Sequence, residues 1–399
     1  NDSALTGLLE ELALEPQFAQ ASASRRFVVK EGRPVPLGPG ILLGGALLPL
    51  GARLRLCAEL FSAAPPGQDE SLADFGRRRL GPAVVENLLA PMCKGIFGGD
   101  PEELSLASAF PSLAELDRGG GITASLLRPW RRKRKARVEI LSFPGGLSSF
   151  IDALAQALGT ELSLSTKVES FAREEESSRL ELRGPAGTET VLARHVVLAV
   201  PAFAAAELLR SLSPTLSAEL EAIPYADLIV VGAGYPKDAV SRPLNGFGAL
   251  VGPDSRPEGT RLRALGYLES SSVFADRSPE GARLYRVMLG GRQGGDLLDL
   301  SDEELTSVVR RELEAVIGAS GEPRFWRIFR HRRGIPQYVV GHGDRLARIE
   351  ALKDEVGGLE LTGNAYRGPG IADTLRDAHA TASRVASFLA VSASQLSPG

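Results

Sequence analysis

Residues 359–371 place the tightest constraint on the fold. Leu359 to Thr362 reads as a short buried strand, and Gly363, Gly368 and Gly370 separate it from a helical pattern running from about Ile371 to Leu389. Glycines between a strand and a helix leave the first N–H groups of that helix facing open space, with the positive end of the helix dipole behind them. That arrangement suits a phosphate or a similar polar edge. On glycine count alone, a bare β–α connection holding no ligand is an equally good reading, because short GxG patterns recur without ligands.

The rest of the chain reads as an α/β protein. Its 399 residues predict two or three domains at about 150 residues each. With 43% apolar residues, 24% charged residues and a net charge of −3, disorder, a collagen-like chain and a wholly basic nucleic-acid-binding surface are excluded. Cys57 and Cys93 form no disulfide framework and no CxxC pair, so a reducing compartment and no metal site are expected. No signal peptide is expected after Asn1. The 44 glycines exceed the usual share of about 7% and imply positive-φ positions or close approaches.

Periodicity sets the order of elements. Leu5, Leu8, Leu9 and Leu12 share a helical face behind Ser3, and residues 26–35 read as a strand pair turning at Glu31-Gly32. Residues 34–127 read as a mostly helical block without strand pattern, in which Pro82 opens a helix before Val84, Val85, Leu88 and Leu89. Within it residues 34–52 carry no charge, but Pro34, Pro36, Pro39 and Pro49 would break a spanning helix. This segment is expected to lie on a bilayer as a loop or short helices. The basic run Arg128 to Arg137, with Trp130 inside it, marks a boundary and tilts the same way. Beyond it come a helix over 147–158, strands at Leu162/Leu164, Leu180/Leu182 and Val191, and an apolar run from Val196 to Val200. A further helix follows Pro201. Antiparallel strands are expected at Leu228–Ala233, Gly246–Val251, Leu262–Leu268 and Leu284–Leu289. Ser301 and Glu304 form a capping box for a helix through Val316.

The words around the glycine turn break its tie. Gly363-Asn364-x-Tyr366-x-Gly368-x-Gly370 resembles the last FAD-contacting turn of the protoporphyrinogen oxidase family, within the monoamine-oxidase-like flavoproteins. Other segments match that family in order: the stretch from Ser71 to Gly81, Cys93-Lys-Gly-Ile-Phe-Gly-Gly-Asp-Pro, Phe143-Pro-Gly-Gly-Leu147, Ala199-Val-Pro-Ala202, Gly246-Phe-Gly-Ala-Leu250, Met288-Leu-Gly-Gly291 and Gly334-Ile-Pro-Gln-Tyr338. The family's opening strand, GxGxxG and helix find no counterpart, so an N-terminally truncated copy is expected.

What the resemblance implies is specific. The fold would be α/β (α+β), with an incomplete Rossmann-like FAD-binding domain (1–14, 143–205 and 332–399), a sheet-based substrate domain (15–33, 128–142 and 206–331) and a helical membrane-associated domain (34–127). The reaction would be the six-electron oxidation of protoporphyrinogen IX to protoporphyrin IX, in three hydride transfers to flavin with molecular oxygen as acceptor. The flavin would carry the chemistry, so no catalytic side chain is expected. Arg26 matches an arginine that grips a substrate propionate; Phe247, Gly248 and Leu250 match the sandwich around a pyrrole ring, and Gly95 and Met288 line the same cavity. Val168, Ala199, His331, Gly363, Asn364, Pro369, Gly370 and Ile371 match cofactor contacts, and Pro201 lies near the flavin. Without the resemblance, Arg26 reads as an exposed strand arginine and the aromatic-aliphatic positions as core. His195, His342 and His379 read as structural or surface residues.

The implied partners are the tetrapyrrole, oxygen, a membrane surface, ferrochelatase and a second copy of the chain, with no nucleic acid. The implied location is cytoplasmic and peripheral to a membrane. Two alternatives stay open: oxidation of coproporphyrinogen III, which a second basic residue facing the cavity would favour, and a non-catalytic chain that holds a porphyrin without flavin. A more distant amine oxidase would need an aromatic cage, and the six tyrosines and two tryptophans are scattered.

Overall fold

The computed structural model describes residues 3–38, 47–57, 59, 67–119, 121, 140–175, 177–252 and 255–395. The chain divides into two compact units. One comprises Asn1–Glu15, Phe150–Pro224 and Gly341–Gly399, and the other Pro16–Ser149 and Tyr225–Val340. In chain order the strands are β1 (Gln17–Phe18), β2 (Arg26–Lys30), β3 (Arg33–Leu37), β4 (Leu141–Ser142), β5 (Lys167–Arg173), β6 (Ser178–Gly184), β7 (Gly187–Ala193), β8 (Val196–Leu198), β9 (Tyr225–Pro236), β10 (Gly248–Val251), β11 (Ala264–Glu269), β12 (Ala282–Gly290), β13 (Phe325–Pro336) and β14 (Leu359–Leu361).

The second unit is built on a seven-stranded sheet in the order β13-β9-β12-β11-β10-β2-β3. Its expected antiparallel character holds except between β10 and β2, which run parallel. One face packs Val29, Ala249, Tyr267, Tyr285, Val287, Ile229 and Val231 against Leu305, Val309, Leu313 and Val316 of the helix Asp302–Ile317. Burying side chains of this size contributes roughly 1.5–3 kcal/mol each, which makes this layer the unit's main core. The helix starts at the expected capping box: the Glu304 N–H donates to Ser301 Oγ at 3.2 Å, and the Ser301 N–H to Glu304 Oε2 at 2.8 Å. It stops at Gly318, whose φ of 63° is the left-handed cap that glycine tolerates.

Strand β3 corrects the expectation that residues 34–127 lack strand structure. Pro34 sits opposite Val29 and Pro36 opposite Phe27. β3 is the last strand of the sheet, so the N–H groups that proline lacks are not needed by a further neighbour. Beyond β3, a second cluster gathers Leu47, Leu48, Leu72, Phe75, Leu89, Cys93, Phe97 and Leu104 with Val28 of β2. The helical segments of 34–127 that are described thus belong to the same unit as the sheet. Residues 82–97 pass from helix through one π-helical turn, Val85–Leu89, back to helix at Ala90. Pro91, with no N–H to return to the preceding turn, accounts for the wide turn.

Leu47 and Leu48 of the uncharged segment are 2% and 0% exposed, packed into that second cluster. Residues 39–46, and the basic run with Trp130, lie outside the described residues. Among the described residues, no helix is long and apolar enough to cross a membrane.

The first unit contains an antiparallel meander β5-β6-β7 and a parallel pair, β8 beside β14, giving it a Rossmann-like helix and sheet character. Leu359 pairs with Val196 and Leu361 with Leu198. The expected strand at Leu162/Leu164 is instead a turn, with Leu164 73% exposed; its alternation had no partner strand to pair with. The apolar run from 196 stops being strand after Leu198, and Ala199 and Val200 are exposed. Two long elements among those without a counterpart in the sequence expectations stand out. They are β13, whose Arg and His content masks its period of two, and the helix His342–Val356.

Candidate functional site

The parallel register of β8 and β14 ends the two strands side by side, with the Thr362 N–H donating to the Leu198 carbonyl at 3.2 Å. Ala199 and Gly363, the residues that follow, therefore lie side by side at the carboxyl ends of parallel strands, where α/β folds bind ligands. The turn is braced from below. Thr362 Oγ1 donates to Asp377 Oδ2 at 2.7 Å, Arg367 Nη1 donates to Asp377 Oδ1 at 2.9 Å, and Arg367 also bonds Glu350. Gly363 has φ of 124°, and a Cβ added there would meet nothing within 4 Å. At Gly368, φ is 131° and a Cβ would run into Asp373, so the turn accepts only glycine there.

The helix Ile371–Gln395 opens at this turn, with Asn364, Pro369, Gly370 and Ile371 exposed. An open glycine, a helix N-terminus and an apolar Ile371 beside them fit the mixed polar and apolar edge of a flavin nucleotide. Val168 lies on β5, the edge of its three-stranded sheet, next to a register irregularity between Val168 and Ser170. An irregularity on an edge strand leaves backbone groups free of the ladder, as pairing with an adenine edge requires. Seven of the eight expected cofactor residues thus belong to the first unit. His331 belongs to the second, exposed on β13 opposite Leu228.

Of the expected substrate residues, Arg26, Gly248, Leu250 and Met288 stand on one face of the seven-stranded sheet, opposite the main core. Residues paired across neighbouring strands point the same way, so Val28, Leu250, Gly266, Met288, Val230 and Phe329 form one row. Two residues along, Arg26, Gly248, Leu268, Arg286, Gly232 and Arg327 form the next row on the same face. The Arg26 guanidinium lies over the Phe247 ring, 5.3 Å from its centroid. Gly95, on the helix Ala90–Phe97, abuts Leu250 so closely that a Cβ would overlap Leu250 Cδ2. A Cβ on Gly248 would likewise overlap the Tyr267 carbonyl oxygen. The structure therefore brings Arg26, Gly95, Phe247, Gly248, Leu250 and Met288 together.

Sequence reasoning missed Arg286 and Arg327 on that face. Their signal, an arginine two residues before Met288 or Phe329, becomes readable only once strand pairing assigns the faces. Crowding by the surrounding protein holds Arg286 below the usual arginine range, with nearby Arg277 the second cause, although the side chain reaches the surface. A separate cavity of about 270 Å³ lies at the far end of β10, β11 and β12, lined by Lys94, Gly98, Gly252, Arg261 and Gly290 among others. None of the expected substrate residues lines it.

The histidines do other work. His195 packs edge-on against Phe388 at 4.8 Å, with neither ring nitrogen hydrogen-bonded, and burial holds its pKa below the usual imidazole value. His342 is buried, with Nε2 3.3 Å from the Tyr366 carbonyl, and His379 is exposed.

Comparison with known proteins covers nearly the whole chain. Residues 1–386 match the family of flavin containing amine oxidoreductases. The chain is 32% identical to the chloroplastic protoporphyrinogen oxidase of Oryza sativa subsp. japonica over 416 aligned residues, covering 96% of this chain and 75% of that protein. It is 27% identical to the coproporphyrinogen III oxidase of Bacillus subtilis, covering 96% of this chain and 83% of that one. A crystal structure from Exiguobacterium sp. 255-15, assigned as a protoporphyrinogen oxidase, superposes with a TM-score of 0.79 at 25% identity, over 96% of this chain and 84% of that one.

Proposed function

The chain belongs to the protoporphyrinogen/coproporphyrinogen oxidase family of the flavin amine oxidases, and from that membership we propose that it uses FAD to oxidise protoporphyrinogen IX to protoporphyrin IX with molecular oxygen. The observation that carries this is the placement of Arg26, Gly248, Leu250 and Met288 on one sheet face, with Phe247 beside the Arg26 guanidinium and Gly95 against Leu250, in a chain that matches porphyrinogen oxidases almost throughout. Bound flavin supplies the hydride acceptance, six electrons in three two-electron steps. The protein's part is to hold a large apolar ring by its faces and its propionates. Phe247, Leu250 and Met288 offer apolar area, while Gly95 and Gly248 keep the floor flat. Arg26 supplies a fork matched to a carboxylate.

Coproporphyrinogen III is the second reading, because a relative of comparable coverage carries that name. A peripheral position on a membrane surface, contact with ferrochelatase and a homodimer are further parts of the proposal, supported by the sequence alone. The test is direct. Purified chain supplemented with FAD is given protoporphyrinogen IX, and porphyrin fluorescence is followed with and without oxygen. Oxygen-dependent porphyrin formation above the non-enzymatic rate is expected. Oxidation of simple amines with no effect on the porphyrinogen would overturn the reading.

A further inference from the structure

We propose that Arg286 is a second carboxylate-binding residue on the substrate face, set so that this face seats a porphyrinogen with propionates on opposite edges of the macrocycle. The inference rests on the reading of that face as the porphyrinogen site, and between the two substrates named above it favours the second, coproporphyrinogen III.

The register fixes the placement. Arg26 pairs with Gly248, Gly248 with Leu268, and Leu268 with Arg286, so both arginines stand on the same face. Three strand spacings of about 4.8 Å put roughly 14 Å between their backbones. The row continues through Gly232 to Arg327. Between the arginines stand Gly248 and Leu268, and in the neighbouring row Gly266 and Met288 follow Leu250, which is covered by Gly95 of the helix Ala90–Phe97; all are apolar or without side chains. A flat apolar ring lies over such a floor, and its charged arms reach outward to the ends.

The charges on this face are unspent. Arg26 is exposed and meets the Phe247 ring. Arg286 is exposed, and its Nε donates to the neutral Ser270 hydroxyl at 3.1 Å. Among the described residues none of Arg26, Arg286 and Arg327 forms an ion pair. On the opposite face of β13 the contrast is plain, because Arg330 bonds Asp302 and the Leu300 carbonyl. An arginine whose Nε is already fixed by a hydroxyl presents its remaining N–H groups in a defined direction, which favours a planar two-oxygen acceptor. Two forks this far apart match carboxylates on opposite edges of a tetrapyrrole. Four propionates provide that pattern, whereas the two neighbouring propionates of protoporphyrin lie along one edge.

The experiment titrates the purified chain, with and without FAD, with coproporphyrin III and with protoporphyrin IX, reading the change in porphyrin absorbance. The variants are Arg286→Ala, Arg286→Lys, Arg327→Ala and, as a charge-matched control on the other face, Arg330→Ala. Thermal melting confirms that each is folded. Arg286→Ala is expected to weaken coproporphyrin binding by roughly ten-fold or more and protoporphyrin binding by about two-fold at most. Arg286→Lys should recover only part of the loss, since it keeps charge but not the fork. Unchanged coproporphyrin binding by Arg286→Ala overturns the proposal while leaving the porphyrin site intact. Equal losses for both porphyrins, or the same loss in Arg330→Ala, overturn it in favour of a general positive field. Failure of the unmodified chain to bind either porphyrin overturns both this inference and the function it rests on.

Discussion

The Arg26 guanidinium stands 5.3 Å from the centroid of the Phe247 ring, so the arginine proposed to grip a carboxylate is positioned by the residue proposed to face a pyrrole. Such an exposed cation–π contact contributes about 0.5–1 kcal/mol, enough to bias the arginine's rotamers without burying it. Arg26→Ala should weaken binding of a propionate-bearing porphyrin by about 10- to 100-fold, the equivalent of roughly 1.5–3 kcal/mol for a charge-assisted hydrogen bond. Phe247→Leu should lose less affinity and leave melting temperature nearly unchanged. Titration of both variants by porphyrin absorbance checks the order; equal affinities for the Arg26 variant and the parent would remove Arg26 from the site.

Gly95 and Leu250 set how closely the helix Ala90–Phe97 packs on the sheet. A Cβ at residue 95 overlaps Leu250 Cδ2, and the overpacking cost of about 1–3 kcal/mol outweighs the gain of roughly 0.8–1 kcal/mol from replacing a helical glycine by alanine. Gly95→Ala should therefore destabilise the protein, and Leu250→Ala should destabilise it by lost packing. Together they should be less damaging than the sum, with a coupling of about 0.5–3 kcal/mol. Denaturant melts of the four proteins in the cycle measure it, and strict additivity would mean that the two residues do not share the space.

Below the face, the Tyr267 hydroxyl donates to Glu312 Oε2 at 2.7 Å, and Glu312 also accepts the Ala264 N–H at 3.2 Å and the Arg263 N–H. This ties β11 to the helix that supports the sheet. Burial pushes the Glu312 carboxyl above its ordinary range and the Tyr267 hydroxyl well above its own. Tyr267→Phe removes one bond and should cost about 1 kcal/mol. Glu312→Leu strands a hydroxyl and two N–H groups and should cost several-fold more, at about 1–3 kcal/mol for each group left unsatisfied. Thermal melts of the two variants should show that order.

The parts of the molecule governed by local chemistry were legible from the sequence. Ser301 and Glu304 announced their helix, and the glycines after Leu361 announced the turn, because capping and positive φ are settled within a few residues. The gathering of Arg26, Phe247, Leu250 and Gly95 followed from family motifs rather than from any spacing. What escaped was set by pairing at long range. β13 hides behind Arg327, Arg330, Arg332 and Arg333, which give a polar appearance to a strand that pairs along most of β9. Leu164 showed the converse, an alternation that finds no partner and ends in solvent. Arg286 could not be assigned to a face until Leu268 was known to lie opposite it.

His195 gives the last prediction, a dependence of stability on pH. Both of its ring nitrogens are buried without hydrogen bonds, and the ring meets Phe388 edge-on. Burial, the largest influence, opposes the charged form and lowers the folded-state pKa, with Glu360 pulling the other way. The unfolded chain, with an imidazole near 6.5, therefore takes up a proton at a pH where the folded chain still resists it. The unfolded state binds more protons in that window, so stability rises with pH there. Equivalently, the full stability present above about 6.5 is lost progressively as pH falls through the lowered folded-state value. His195→Phe keeps a ring against Phe388 and removes the titration. The melting temperature of the parent should fall more steeply than that of His195→Phe between pH 7.5 and about 5, while the two should run parallel above pH 7.5. The variant should also melt somewhat higher at neutral pH, since two unsatisfied nitrogens are gone. Parallel curves across the whole range would show that His195 reaches solvent in both states.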